Sequence, residues 1–406
     1  MTQTAPLPLV EAAAATRATG RLSLAMWCAG IASFALLHAP QGLLTFIAAD
    51  TGRGASDVAW VISGATLGLA LSLPLWAVLA ARLGVARAMR VSATTSALIA
   101  LLLPLSPTLE VLVAGRFLQG AAIGGIPALA VALVHEAVAG RTAAVVAGGY
   151  IAAASVGGLS GRVVAPVLAE VAGWRAGLLL LDVLGALVTV TMALLLPRTA
   201  PSRAPAGRTL RVFVRQLRDR RLLALFAMGG MLLGAMIGMY NAIAFRLEAP
   251  PYALPAAVVS LVFLAYLGGT AAAQVSGRLS QRFGLRTPLL AGCLLMLAGA
   301  ALTAAPPLPA VIAGVVLLTT GMFLAHSVAS SAVAGFAGAD RASAGSMYNV
   351  FYYGGSSLFG WLCTLAWTGA GWLAVAGVLC ALSLAAAVCA LVATRAPAPP
   401  RQPRAL

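Results

Sequence analysis

The sequence predicts an all-α membrane protein with twelve transmembrane helices in two pseudo-symmetric six-helix bundles. Three observations support this prediction: 61% of the 406 residues are hydrophobic, only 9% are charged, and the mean hydropathy is +0.98. A soluble domain carries about 25% charged residues, so a water-soluble protein is excluded. One membrane crossing takes about 20 apolar residues, which leaves room for roughly twelve crossings and for no large soluble domain.

Apolar runs bounded by Arg, Pro, Gly or acidic residues mark the predicted helices. Helices 1 to 6 are predicted near residues 22–48, 56–80, 90–106, 109–134, 142–168 and 175–196, and helices 7 to 12 near 222–246, 255–280, 287–304, 308–333, 342–367 and 371–394. The predicted domains are an N-terminal tail at 1–21, a six-helix bundle at 22–196, a basic linker at 197–221, a second bundle at 222–394 and a C-terminal tail at 395–406.

The arginines lie mostly on one side of the predicted bundle. With the N-terminus inside, 21 of the 26 arginines fall in inner segments, and the outer loops keep only Arg53, Arg175 and Arg246. This bias is the positive-inside signal and predicts that both tails and the linker are cytoplasmic. The net charge of +16 does not indicate nucleic-acid binding, because the arginines separate apolar runs instead of forming a soluble basic face.

The segment 197–221 is the one long polar stretch, rich in Pro and Arg. Its residues Leu210 to Leu217 fit a short basic amphipathic helix on the anionic inner leaflet. Each arginine near that surface contributes about 1 kcal/mol to the free energy of membrane binding. An unstructured tether fits the same composition.

An internal repeat indicates two homologous halves. Arg82-Leu83-Gly84 recurs as Arg282-Phe283-Gly284 after the second helix of each half, and Gly173-Trp174 recurs as Gly371-Trp372 before the last helix. Both offsets are about 200 residues. Parallel halves of this kind build transporters around a central site.

At these residues the sequence resembles the major facilitator superfamily, whose loop between helices 2 and 3 carries G-x-x-x-D-R-x-G-R-R. The second-half copy keeps more of this gating-loop motif, and Ala81 and Gln281 replace its Asp in the two halves. The resemblance assigns gating-loop roles to Arg82, Gly84, Gly277, Gln281, Arg282, Gly284 and Arg286.

Further motifs extend the resemblance. Arg116, Gln119 and Gly120 match the fourth-helix signature of the family, and Gly157 to Arg162 is similar to the glycine-rich fifth helix of its antiporters. The predicted helices 10 and 11 resemble those of bacterial sugar and drug efflux permeases described as arabinose-efflux-like.

The resemblance implies a multi-pass protein of the bacterial inner membrane that exports a drug, sugar or metabolite by alternating access and proton antiport. Uptake by a proton symporter or facilitator is the alternative, and a non-transporting receptor or scaffold is a further one. We expect a monomer with a small-molecule substrate, protons and lipids as partners. No enzyme, cofactor or metal motif is present, and the five cysteines lie in apolar stretches.

Five charged or histidine residues lie inside the predicted helices and away from the helix ends, where charge is costly and marks candidate functional sites. They are His38, Arg116, Arg162, Asp182 and His326. Asp182, Arg116 and Arg162 are predicted to lie at similar depths in the membrane, so we expect Asp182 to pair with one of the two arginines. The pair is either a static brace or a proton-sensitive switch. Each histidine is either a neutral hydrogen-bonded group or a proton carrier, since imidazole titrates between about pH 5 and 8.

Polar and aromatic residues on helices 1, 4, 7, 10 and 11 are the candidates for lining a substrate cavity. In the family that the sequence resembles, helices 1, 4, 7 and 10 usually do so. The candidates are Gln41, Gln119, Tyr240, Asn241, His326, Tyr348, Asn349 and Tyr352. Their chemistry suits a neutral or amphipathic solute, although hydrogen bonding between helices explains each residue equally well.

Overall fold

The computed structural model describes residues 9–197 and 207–395. Ten apolar helical segments in these residues are long enough to cross a membrane. The last of them, Leu308–Arg395, is broken by a 3-10 turn at Gly338–Asp340 and by non-helical backbone at Ala370 and Gly371, so it contains three crossings. The described chain therefore has twelve crossings, which confirms the predicted fold class.

Helices 1 to 6 form the N-terminal bundle. Helix 1 comprises Leu9–His38, a 3-10 turn at Ala39–Leu43 and Leu44–Thr51; helix 2 comprises Ala55–Val58 and Trp60–Leu83; helix 3 comprises Val85–Leu102 and Leu103–Leu105; helix 4 comprises Leu109–Ile123 and Gly125–Ala137; helix 5 is Gly140–Ala172 and helix 6 is Trp174–Leu195.

Helices 7 to 12 form the C-terminal bundle. Helix 7 is Arg220–Glu248; helix 8 comprises Ala256–Val259, Ser260–Leu264 and Ala265–Phe283; helix 9 is Arg286–Thr303; helix 10 is Leu308–Ala337; helices 11 and 12 are the two parts of Arg341–Arg395 on either side of Ala370 and Gly371.

The connections define two ends of the molecule. We call the end with the loops after helices 1, 3, 5, 7, 9 and 11 the odd-loop end, and the opposite end the even-loop end. The predicted N-terminal tail overlaps helix 1, which begins at Leu9. The predicted linker contains a helix at Gly207–Arg218, so the helical alternative agrees with the structure. Residues 1–8, 198–206 and 396–406 of the predicted tails and linker lie outside the described residues.

The repeat found in the sequence extends to backbone geometry. Gly84 and Gly284 have φ angles of 84° and 74°, and Gly173 and Gly371 have φ angles of 80° and 70°. Glycine recurs at these turns because a side chain would be strained at such positive φ angles.

Glycines also allow equivalent helix pairs to approach closely. Gly30 and Gly157 lie against backbone where helices 1 and 5 cross, and Gly230 and Gly355 do so where helices 7 and 11 cross. Small residues at a helix contact let backbones pack tightly in a membrane, where no hydrophobic force drives helices together. These two crossings hold the central helices of each bundle in place.

The Gly230 contact provides a test with a matched control. A Cβ atom at Gly355 would collide with the Gly230 backbone, whereas one at Gly354 would meet no atom within 4 Å. We expect Gly355→Ala to lower the free energy of unfolding by roughly 1–3 kcal/mol through overpacking. Gly354→Ala should leave it unchanged or raise it by up to about 1 kcal/mol. Thermal unfolding of the two purified variants in detergent measures this, and equal midpoints would contradict the packing assignment.

Candidate functional site

A cavity of about 270 Å³ lies between the two bundles. Helices 1, 2, 4 and 5 line it from one side and helices 7, 8, 10 and 11 from the other. Its lining residues are Phe34, His38, Thr66, Pro127, Tyr150, Ile151, Ala154, Ser155, Gly158, Arg162, Leu233, Met236, Ile237, Tyr266, Phe323, His326, Asn349, Tyr352, Tyr353 and Ser356. Apart from tyrosines, its ionisable lining residues are one arginine and two histidines, and no carboxylate is among them.

Two larger grooves differ from this cavity in position. One of about 640 Å³ lies between helices 2 and 4, and one of about 430 Å³ lies along helices 8 and 10. Each is lined from one bundle only, and its walls are mostly apolar. A path for a solute has to run between the bundles, so the smaller central cavity is the candidate site.

The central cavity is closed toward the odd-loop end by three hydrogen-bonded side chains. Gln41 Nε2 donates to Asn241 Oδ1 at 2.7 Å, and Arg162 Nε donates to Gln41 Oε1 at 2.6 Å. Gln41 and Asn241 are 200 positions apart, which is the offset of the sequence repeat. The two halves thus meet through equivalent positions of helices 1 and 7.

Other contacts between the bundles lie on the same side of the cavity. Three more hydrogen bonds join Thr45 to Glu248, the Ala257 amide to Glu170, and Ser357 to the Ser63 carbonyl, at 3.1, 2.9 and 2.7 Å. Trp60 packs on Trp361 with ring centroids 5.9 Å apart. Within the described residues, all hydrogen bonds between the two bundles lie in the half nearer the odd-loop end.

Arg162 links the bundles a second time through aromatic contacts. Its guanidinium carbon lies 4.9 Å from the Tyr266 ring centroid and 5.4 Å from that of Phe263, both on helix 8. Its Nη1 donates to the Gly158 carbonyl of its own helix at 3.0 Å. Cation–π contacts of this kind strengthen when they are desolvated. Arg162 therefore belongs to both the closed end and the cavity wall.

His326 is held within an aromatic group on helices 10 and 11. Its Nδ1 lies 2.9 Å from Tyr348 Oη, and its ring stacks on Tyr352 with centroids 4.5 Å apart. His326, Tyr352 and Asn349 line the cavity, whereas Tyr348 is buried behind them. His38 lines the opposite wall, and its Nδ1 has no hydrogen-bond partner among the described residues.

The described structure shows no direct ion pair between Asp182 and either arginine, although the charges of Asp182 and Arg116 interact at longer range, so their pairing stays a prediction. Asp182 Oδ2 has no hydrogen-bond partner among the described residues. The four donor contacts of Arg116 go to the carbonyls of Leu36, Leu37 and Val61 and to Gln119 Oε1.

A proline in helix 1 explains why Arg116 binds carbonyls. Pro40 has no N–H, so the Leu36 carbonyl four residues earlier loses its helical donor, and the helix tightens into a 3-10 turn. Arg116 supplies the missing donor at 3.1 Å. An unsatisfied carbonyl inside a membrane costs several kcal/mol, so this arginine supports the break in helix 1.

The remaining predicted site residues lie outside the cavity wall. Gln119 is buried beside Arg116, and Tyr240 bonds to Thr319 at 2.8 Å and stacks on Phe263. The gating-loop residues lie at the even-loop end, at or beside the turns after helices 2 and 8: Arg82, Gly84, Gly277, Gln281, Arg282, Gly284 and Arg286.

Sequence reasoning did not select three cavity tyrosines, Tyr150, Tyr266 and Tyr353. Tyr150 and Tyr266 lie on helices 5 and 8, which are not among the expected lining helices. The available signal was that tyrosine is scarce in this chain, with seven in 406 residues, and that these three interrupt apolar spans.

The contrast between Arg116 and Asp182 is testable. Arg116→Leu leaves three buried carbonyls without this donor. Each carbonyl that stays unsatisfied costs roughly 1–3 kcal/mol of folding free energy. We expect Arg116→Leu to lower the unfolding midpoint strongly. Asp182→Asn should lower the midpoint much less, because Asp182 has no direct hydrogen bond or ion pair to lose in the described chain. Thermal unfolding in detergent compares the two, and equal losses would indicate that they act as a pair.

Comparison with known proteins places this architecture in a family. The model of the Major Facilitator Superfamily matches residues 22–360. The uncharacterized MFS-type transporter YybF of Bacillus subtilis (strain 168) is 31% identical over 369 residues, which cover 90% of this chain and 91% of YybF. The inner membrane transport protein YnfM of Escherichia coli (strain K12) is 31% identical over 378 residues, which cover 92% of this chain and 90% of YnfM.

A solved structure agrees on the fold. The crystal structure of a POT family transporter in complex with 5-aminolevulinic acid superposes with a TM-score of 0.73 at 15% identity, covering 93% of this chain and 96% of that one. The protein therefore belongs to the Major Facilitator Superfamily and is a multi-pass membrane transporter of small solutes, not an enzyme.

Proposed function

We propose that this transporter exports a small organic solute from the bacterial cytoplasm by proton-coupled antiport, acting as a monomer with alternating access to the central cavity. The observation that carries the proposal is the one-sided closure of that cavity. All hydrogen bonds between the bundles of the described chain lie toward the odd-loop end.

The free energy that holds the odd-loop end closed is small enough for a reversible switch. A typical hydrogen bond contributes about 0.5–1.5 kcal/mol net, so the four bonds between the bundles amount to a few kcal/mol. A shift from 1:99 to 99:1 between two states takes about 5.5 kcal/mol of differential binding. Solute and proton together can supply a difference of that order.

The arginine distribution supports the orientation in the membrane that this proposal requires. The positive-inside rule places the even-loop end and both termini in the cytoplasm. A cavity closed toward the odd-loop end is then loaded from the cytoplasmic side. The inner-membrane location of YnfM is in keeping with this orientation.

We assign proton carriage to His326, with His38 as a second carrier. Both histidines line the cavity, so a proton on either ring is close to a bound solute. In protonated His326 both ring nitrogens are donors, so Nδ1 has to donate and Tyr348 Oη has to accept, and this fixed direction acts on the contact between helices 10 and 11. Asp182 is not among the cavity-lining residues, so we assign it a structural role.

The test is the accumulation of a panel of fluorescent solutes in an efflux-deficient host that expresses the protein. We expect lower accumulation than in control cells, and a protonophore should abolish the difference. His326→Asn should also abolish it. His135→Asn is the matched control, because His135 is exposed near the even-loop end of helix 4 and outside the cavity.

Other results would count against the proposal. Higher accumulation in expressing cells would indicate uptake. Export that persists with the protonophore would contradict proton coupling, and full activity of His326→Asn would exclude this histidine as the carrier.

A further inference from the structure

The cavity contains a buried positive charge that has no anionic partner in the described part of the chain. Arg162 is 2% exposed, yet it lines the cavity. Its hydrogen-bond acceptors are the neutral Gln41 side chain and the Gly158 carbonyl. No aspartate or glutamate lines the cavity, and no ion pair of the described chain includes Arg162. A charge buried in a membrane is costly unless it is paired.

We propose that the transported solutes are organic anions with an aromatic or apolar body, and that their anionic group pairs with Arg162. The inference rests on the transport function proposed above and adds the substrate class. Bonds to the described residues use Nε and Nη1 of Arg162, which leaves the Nη2 amino group as a donor for a ligand. A guanidinium binds carboxylate and related oxyanions with strong charge-assisted hydrogen bonds.

The walls next to Arg162 fit an aromatic body. Tyr266 lies beneath the guanidinium and meets Phe323 edge-on, with ring centroids 5.4 Å apart. Tyr352 and Phe34 add further rings to the lining. Aromatic side chains favour stacked or edge-to-face contact with another ring. The volume of about 270 Å³ limits the solute to a small molecule of one or two rings.

Binding of an anion also acts on the closed end. Arg162 donates to Gln41, which in turn donates to Asn241 of the other bundle. An anion that draws the guanidinium away from Gln41 competes with this chain of bonds. Recognition of the solute and release of the odd-loop end therefore use the same side chain.

The test measures equilibrium binding to the purified full-length protein with three pairs of probes. Each pair is a carboxylate and its neutral amide of nearly the same shape: benzoate and benzamide, naphthalene-2-carboxylate and naphthalene-2-carboxamide, and indole-3-acetate and indole-3-acetamide. We expect at least one carboxylate to bind tenfold or more tightly than its amide. Arg162→Gln should reduce this preference to less than twofold, and Arg162→Lys should retain part of it.

The wild-type comparison needs no variant, so misfolding of Arg162→Gln does not block the test. Absence of a carboxylate preference in all three pairs overturns the proposal, as does an unchanged preference in folded Arg162→Gln. Binding is measured without a proton gradient, which separates it from the transport assay. Proton-driven export without anion preference overturns only the substrate class, and anion-selective binding without export overturns only the transport direction or coupling.

Discussion

The hydrogen bond between Gln41 and Asn241 joins the two bundles at one end of the cavity, and the described conformation depends on it. Because the residues occupy equivalent positions on helices 1 and 7, the contact lies where the two halves of a repeat meet. Arg162 reinforces it from helix 5 and rests on aromatic rings of helix 8. One group of side chains thus connects four helices, two from each bundle.

The two buried arginines have different hydrogen-bond partners and different roles. The absence of water in a bilayer explains the role of Arg116. Every backbone polar group must find a partner within the protein. Pro40 breaks that rule in helix 1, and Arg116 restores it by donating to the freed carbonyls. Arg162 serves no such break and instead faces the cavity. The same residue type is therefore structural in helix 4 and, in our proposal, functional in helix 5.

The fold was predictable from the sequence because a helical crossing satisfies nearly all of its own backbone and must be predominantly apolar. The repeat was equally clear, since Gly84 and Gly284 both occupy positive φ angles that favour glycine. The site was predictable only in part. Depth along a helix can be counted from the sequence, and it placed Arg162 and His326 within membrane-spanning helices, where the structure has them.

The sequence position of a residue gives its depth along a helix, but it does not give the direction in which its side chain points around the helix axis. Asp182 and Arg116 share a depth but make no direct ion pair, because the guanidinium of Arg116 donates to three carbonyls and to Gln119, two of the carbonyls being freed by the Pro40 break. Tyr266 reaches the cavity from helix 8, which is not an expected lining helix. Both outcomes depend on how helices rotate when they pack.

The most direct test of this account is hydrogen–deuterium exchange of Asn241→Ala in lipid nanodiscs, with Asn349→Ala as control. Asn349 lines the cavity but forms none of the four bonds between the bundles. We expect faster exchange in peptides covering residues 48–56 and 248–256 for Asn241→Ala alone, because the odd-loop end loosens. Unchanged exchange there, or equal acceleration in both variants, would contradict the claim that Gln41 and Asn241 hold the bundles together.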